Sequence, residues 1–319
     1  MKKIISLAMV LVLVLACSAF ADGLPGGTKL IFTTGGAQGT YYGFGGVLSG
    51  KVGEKTSTTV TAITSGGSKA NIEAMQDGDA QLGFTQSDVG AYAYRGTRLF
   101  DEKVTTFSTV ANLYMEQVQI VTLDPSIKTV ADLKDKNVSV GAAGSGTYFN
   151  AVDALKAYGL DIDKDIKPTY QSFGDSVEAL QDGKIDAAFI VAGAPTTAVT
   201  SLAATKKVYL VGFDDEHIMK LITESPYYSK NVIEKSVYGT DDDVTTVAVG
   251  AVVIANDDVS ETDVYNFLYG IFENLDEITA AHAKGAELNL GFAASYTAVP
   301  YHKGAVKYFS EKGIKVSGK

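Results

Sequence analysis

The sequence predicts an α/β protein folded as two similar lobes joined by two strands, and three observations carry that expectation. A pair of phrases occurs twice. Gly39-Thr40-Tyr41-Tyr42 is echoed by Gly146-Thr147-Tyr148-Phe149, and Glu73-Ala74-Met75-Gln76-Asp77-Gly78 by Glu178-Ala179-Leu180-Gln181-Asp182-Gly183. Phe84 and Phe189 follow the second phrase at the same interval, so one βαβαβ-like unit is built twice in register. Short β-prone runs alternate with helical spacing, which gives a parallel or mixed sheet with helices on both faces. Two long apolar runs, Phe107 to Leu123 and Thr245 to Ile254, can carry the chain from one unit to the other and back. The expected boundaries are a leader at 1–21, lobe I at 29–115 plus 255–319, and lobe II at 116–248, with hinge crossings near 116–122 and 246–254.

Each element has a local reason. Lys29 to Thr34 is a β-prone run that breaks into Gly35-Gly36-Ala37-Gln38-Gly39-Thr40 before a helix from Tyr41. Thr58 to Thr64 is β-branched and ends at Ser65-Gly66-Gly67-Ser68; Lys69 to Gln76 has helical spacing and stops at Asp77-Gly78. Ala80 to Thr85 reads as a short buried strand leading to Gln86-Ser87-Asp88. The pattern restarts with a strand at Asn137 to Ala142, a turn at Ala143-Gly144-Ser145-Gly146 and a helix at Thr147 to Tyr158. Pro168 to Gln171 follows as strand, Val177 to Gln181 as helix, Ala187 to Val191 and Lys207 to Val211 as strands. Thr262 to Leu275, Ala280 to Leu290 and Ala305 to Lys312 read as helices.

Composition narrows the function. With 46% hydrophobic and 20% charged residues the chain is globular. A net charge of −10 argues against nucleic acid and against an anionic lipid surface. Met1-Lys2-Lys3 followed by the apolar run Ile4 to Ala16 fits a secretory leader, being shorter than the roughly 20 residues that span a bilayer. Cleavage after Ala19-Phe20-Ala21 is one reading. The other takes Val14-Leu15-Ala16-Cys17 as a lipobox that leaves Cys17 lipidated. Either way the protein is expected to be exported to the periplasm. Beyond Cys17 there is no cysteine, which excludes disulfides and thiolate sites.

The chemistry is that of an anion clamp. Arg95 and Arg98 are the only arginines, so an anion must be held mainly by backbone N–H groups, hydroxyls, amides or lysine. Gly35 to Thr40 and Gly144 to Thr147 each follow a strand and open a helix, where unpaired N–H groups and the positive end of the dipole favour a carboxylate. The plain alternative is tight turns and helix caps. Ser65-Gly66-Gly67-Ser68 repeats the arrangement, and Gln86 and Gly193 follow strands in matching places. The expected ligand contacts are Gly36, Gly39, Thr40, Tyr41, Ser65, Ser68 and Gln86 on one wall, and Ser145, Gly146, Thr147, Asn150 and Gly193 on the other. Enzyme signatures fail: Gly45 to Lys51 matches a phosphate loop except that Val52 stands where Ser or Thr must hold magnesium, no Gly-x-Ser-x-Gly occurs, and His217, His282 and His302 are isolated. No catalytic residue, metal or cofactor is expected.

Thr33 to Tyr42, Thr64 to Asn71, Leu82 to Asp88, Val140 to Thr147 and Val299 to Phe309 together resemble, in order, the motifs of the TAXI family of TRAP-transporter solute receptors. That resemblance implies a type II periplasmic-binding-protein fold of two α/β domains with a two-strand hinge. It implies capture of a small organic anion, dicarboxylate or amino-acid-like, such as glutamate or 2-oxoglutarate. The ligand would pass to the integral membrane subunits of a TRAP-type secondary transporter, and the receptor would be a monomer. A periplasmic sensor presenting its closed form to a signalling partner is the alternative.

Overall fold

The duplicated phrases fold into duplicated geometry. In the computed structural model, which describes residues 23–98 and 100–319, the first unit is β1 (Lys29–Thr33), α1 (Thr40–Lys55), β2 (Thr59–Ile63), α2 (Ser68–Gln76) and β3 (Leu82–Gln86). After α3 (Ser87–Arg95) the chain runs along β4 (Phe107–Thr122) into the second unit. That unit is β5 (Asn137–Ser139), α4 (Gly146–Ala157), β6 (Lys167–Thr169), α5 (Phe173–Gln181) and β7 (Ala187–Ala192). It continues through α6 (Thr197–Ala203), β8 (Tyr209–Leu210), α7 (Asp215–Glu224) and β9 (Ser229–Ile233). The chain returns along β10 (Val244–Asn256) and adds α8 (Glu261–Phe272), α9 (Leu275–Ala281), α10 (Leu290–Ala293) and α11 (Lys303–Glu311). The leader readings at 1–21, with the lipobox at Cys17, lie outside the described residues. No helix among the described residues is long and apolar enough to cross a membrane.

The repeated Asp-Gly pair stops two equivalent helices in the same way. Asp77 and Asp182 cap α2 and α5 at φ −75°, ψ −8° and φ −79°, ψ −6°. Gly78 and Gly183 follow at φ +83° and +67°, the left-handed region that glycine enters without a Cβ penalty.

All strands form one mixed sheet ordered β2-β1-β3-β10-β4-β7-β5-β6, with β8 beside β4 and β9 beside β10. Within each unit the three strands are parallel, in the order 2-1-3 in one and 6-5-7 in the other, and each set ends against a long antiparallel strand. The two long strands change neighbours part-way. β10 pairs β9 through Val244–Ala248 and β3 through Ala251–Ala255, while β4 turns to β7 from Gln117 onward. The chain therefore passes between the two sides twice, on paired strands.

Strand alternation sends successive side chains to opposite layers. Ala251, Val253 and Ala255 join Phe32, Phe84 and Phe267 in one layer, and Val252 and Ile254 join Ile72, Val89 and Tyr296 in the other. Ile120 and Phe189 pack with Val138 and Leu155, whereas Val121 and Ile190 pack with Leu180 and Leu202. Each side thus has its own two-layer core.

Several expected elements differ. The helix read over Ala280 to Leu290 is broken by His282, which is extended at φ −153°, ψ 134°. A 3₁₀ turn at Ala283–Glu287 and the short α10 follow. Asn274 separates α8 from α9. α5 begins at Phe173, ahead of the expected Val177, because the Ser172 side chain caps it by accepting from the Asp175 N–H. α6, α7 and β9 have no clear sequence signal; their apolar periods are short, and packing on the second unit decides them.

Candidate functional site

The residues that follow β1, β2, β5 and β6, with the last residues of β3 and β7, line one cavity at the junction of the two units. This is the place where open α/β sheets receive ligands, beyond the carboxyl ends of the strands. Four helices start there, with Thr40, Ser68, Gly146 and Phe173 all in the wall. The first N–H groups of a helix have no intrahelical partner, so four positive helix ends converge on one space. The volume is about 80 Å³. Since about 10–15 Å³ on this measure holds one water, the space admits a small organic molecule.

The starts of the helices are built differently in the two units. Gly39 and Gly67 precede α1 and α2 and offer no side-chain cap, whereas Ser145 accepts from the Tyr148 N–H at 3.3 Å and Ser172 caps α5. Gly67 is held at φ +102°, which only glycine adopts freely. A Cβ on Gly146 would collide with the Gln86 side chain, so glycine is required for α4 to approach β3 this closely.

Ten of the twelve expected contacts line the cavity: Gly36, Gly39, Thr40, Tyr41, Ser65, Ser68, Gln86, Ser145, Gly146 and Thr147. Their hydroxyls are not all free. Thr40 Oγ1 donates to the Gly193 carbonyl at 2.7 Å, Ser65 Oγ accepts from the Gly67 N–H at 3.0 Å, and Ser68 Oγ accepts from the Gln86 N–H at 3.1 Å. The Tyr41 ring stacks on Phe84 at 4.5 Å and 2°, which fixes it as a wall. Two expected contacts lie elsewhere. Gly193 sits behind the lining, where a Cβ would meet Lys284 and Tyr114. Asn150 is buried one helical turn beyond the cavity and donates to Asp88 Oδ2 at 3.1 Å and to the Tyr228 hydroxyl at 2.8 Å.

Sequence reasoning missed Glu116, Ser172, Phe173, Ala142 and Val191, whereas Ala192, expected with Gly193 as a second-rank contact, is in the lining. Glu116 matters most. Its carboxyl is 2% exposed, and Oε2 accepts from Gln86 Nε2 at 3.1 Å. Glu116 Oε1, Gln86 Oε1 and the Tyr41 hydroxyl make no well-formed hydrogen bond, and the Tyr41 hydroxyl is the donor that faces Glu116. Burial pushes the Glu116 carboxyl up to about 8 and raises the Tyr41 phenol well above its ordinary value. The cation facing Glu116, Lys284, is itself buried and paired with Glu287, above the Tyr114 ring. No lysine or arginine is among the described residues that line the cavity. A buried carboxyl inside an apolar β-run is a sequence signal that could have drawn attention, but the side of β4 it occupies is set by strand pairing. Among the described residues no cluster of His, Cys, Asp or Glu is arranged to hold a metal ion.

A family model described as the NMT1-like family matches residues 32–313, which takes in both units and the whole lining of this cavity. The chain belongs to the NMT1-like family. This NMT1-like chain also resembles solved structures. A Bordetella bronchiseptica RB50 protein matches with a TM-score of 0.53 and 16% identity, over 88% of this chain and 88% of its own. A protein described as a periplasmic transporter matches with a TM-score of 0.53 and 13% identity, over 81% and 87%. The periplasmic aliphatic sulphonate binding protein SsuA from Escherichia coli aligns over 90% and 94% with 18% identity and a TM-score of 0.48. At these identities the likeness is one of fold. The NMT1-like chain shares its two-lobed α/β fold with these structures.

Proposed function

We propose that the chain is an extracytoplasmic solute receptor that closes on a small organic anion and delivers it to the membrane subunits of a TRAP-type secondary transporter. In this reading it is a binding protein and not an enzyme. The carrying observation is the convergence of four helix starts from both lobes on one cavity whose described lining has no cationic side chain. Oriented N–H groups, with the hydroxyls and amide beside them, are the remaining way to hold a carboxylate there. β4 and β10 act as the hinge, near 116–122 and 246–254, and closure is a shift between existing states. The TRAP partner comes from the TAXI resemblance. Its test is reconstituted uptake that depends on an ion gradient and not on ATP.

Glu116 narrows the ligand between the two classes expected. An unpartnered carboxyl oxygen beside an unpartnered amide oxygen accepts hydrogen bonds and donates none when ionised. Raised to about 8, Glu116 is protonated in the empty cavity at neutral pH and offers a donor to a plain dicarboxylate, while above that value its ionised oxygens accept from an ammonium group beside a carboxylate. Thermal shift and calorimetry on the ligand-stripped chain with glutamate, 2-oxoglutarate, glutarate and shorter amino and oxo acids test this. A ligand at 100 times its dissociation constant stabilises the fold by about 2.7 kcal/mol. At pH 9, above the raised Glu116, the amino acid is expected to bind at least about tenfold more tightly than its 2-oxo counterpart, the gap closing toward pH 7, and Glu116→Gln to narrow it. Equal affinities would remove Glu116 as the selector; no shift with any acid would overturn the anion reading.

A further inference from the structure

α4 meets the first lobe along one helical face. Gly146, Phe149, Asn150 and Asp153 stand three or four residues apart and so share a side. Gly146 abuts Gln86, and Phe149 enters the core layer of α3 with its ring 5.9 Å from Tyr92. Beyond them a chain of hydrogen bonds crosses between the lobes and back. Asn150 Nδ2 donates to Asp88 Oδ2 and to the Tyr228 hydroxyl, Tyr228 donates to Asp153 Oδ2 at 3.1 Å, and Arg98 Nη2 donates to Asp153 Oδ1 at 2.8 Å. Asp88 and Arg98 belong to α3 and the turn after it; the other three belong to the second lobe. None of the five lines the cavity.

We propose that this seam is a proton-sensitive closure latch, in which Asn150 and Arg98 hold the lobes together without touching ligand and so set how tightly the cavity binds. The proposal rests on the clamp reading above. A site whose competent form is only partly populated binds weaker by that fraction, so the latch acts on affinity through the population of the closed form. Closing buries Asp88 against Asn150 on α4, with Asp153 on α4, Tyr228 and Tyr227 ahead of β9, Tyr92 and Arg98 on the α3 side, Tyr296 after α10 and Glu116 on β4 around it and Arg95 behind Tyr227. Burial first, and the charge of Asp153 second, push Asp88 up to about 7. Asp88 Oδ1 and Asn150 Oδ1 are both buried without a donor, and a proton on Asp88 adds one. Opening returns Asp88 to water and to its ordinary acidity. Closure therefore takes up a proton, and the closed form gains as pH falls through 7.

Single-molecule FRET on the unliganded chain tests this, with dyes on Asp77→Cys and Asp182→Cys in a Cys17→Ser background. The two labelled positions are exposed and equivalent in the two units. The expected record has two states, with a closed-to-open ratio that rises about tenfold from pH 8 to pH 6. Asn150→Ala and the more exposed Arg98→Gln should each lower the ratio about tenfold at pH 7, and Lys164→Gln should leave it unchanged. Asp88→Asn, read in a Glu116→Gln background so that the other raised carboxyl does not titrate, should remove the pH response. Two states whose ratio ignores both Asn150→Ala and Arg98→Gln overturn the latch. A pH response that survives Asp88→Asn in that background overturns Asp88 as the proton site. One unchanging state in every variant would instead overturn the clamp reading itself.

Discussion

The two lobes repeat one unit but prepare its helix starts for different tasks. In lobe I, α1 and α2 begin after Gly39 and Gly67 with no side-chain cap, and the uncommitted acceptors Gln86 and Glu116 stand next to them. In lobe II, Ser145 and Ser172 cap α4 and α5, and one face of α4 is occupied in contacts across the seam. The Gly144 carbonyl even takes the Lys69 and Ala70 N–H groups of α2, at 3.1 and 3.4 Å. The junction thus presents the unpartnered Gln86 and Glu116 oxygens beside α1 and α2, while N–H groups at the starts of α2, α4 and α5 are already partly taken. In the proposed receptor a few cap and strand residues would make one lobe the binding half and the other the docking half.

The largest test of this division is pH. Glu116 and Asp88 are both raised, to about 8 and about 7, and the matching strand end in lobe II, Ala192-Gly193-Ala194, carries no carboxyl. A carboxyl raised above its unfolded value stabilises fully below that unfolded value, and the contribution is lost as pH rises through the folded one. Calorimetry of the unliganded chain should show stability falling between about pH 5 and pH 8, by up to about 1.4 kcal/mol per pH unit for each group. Glu116→Gln and Asp88→Asn should each flatten that slope, and an unchanged slope in both would remove the asymmetry.

Next comes the duplicated glycine pair. A Cβ on Gly146 meets Gln86 and Ser68, whereas one on Gly39 meets only the Gly36 carbonyl at 3.3 Å and the Phe173 ring at 3.5 Å. Isothermal calorimetry with the acid that stabilises the wild type should show about a hundredfold loss for Gly146→Ala and less than tenfold for Gly39→Ala. Equal losses would mean that the two positions do the same work. Thr147→Val, within the lobe II wall, should cost about 1.5–3 kcal/mol of ligand binding if its hydroxyl meets the carboxylate; unchanged affinity would move it out of the site. The smallest effect belongs to Ser172→Ala. It should lower unfolding stability by about 1 kcal/mol through the lost cap, and a larger change in ligand affinity than in melting would make Ser172 a ligand contact.

The elements that local chemistry controls were legible in the sequence. β-branched runs became strands, the Asp-Gly pairs stopped helices because glycine tolerates positive φ, and glycine- and serine-rich junctions opened them. Repetition of those signals implied two α/β lobes before any contact was known. Residues that line the cavity from these junctions were found because a junction's place at a strand end follows from its neighbours in the chain.

What only the tertiary structure decided depends on which distant segments pair. Glu116 reads as one polar residue in an extended run, and only the β10-β4-β7 register turns it inward beside Gln86. Asn150 has the same local setting as any helix residue near a glycine turn, yet the approach of α3 takes it from the cavity into the seam. Phe173 faces Gly39 because α5 packs across the junction. Propensity and capping act over a few residues, so they determine elements and their ends. Which side chains meet across a cleft is determined by strand order and helix docking, where burial of the whole core outweighs any local preference.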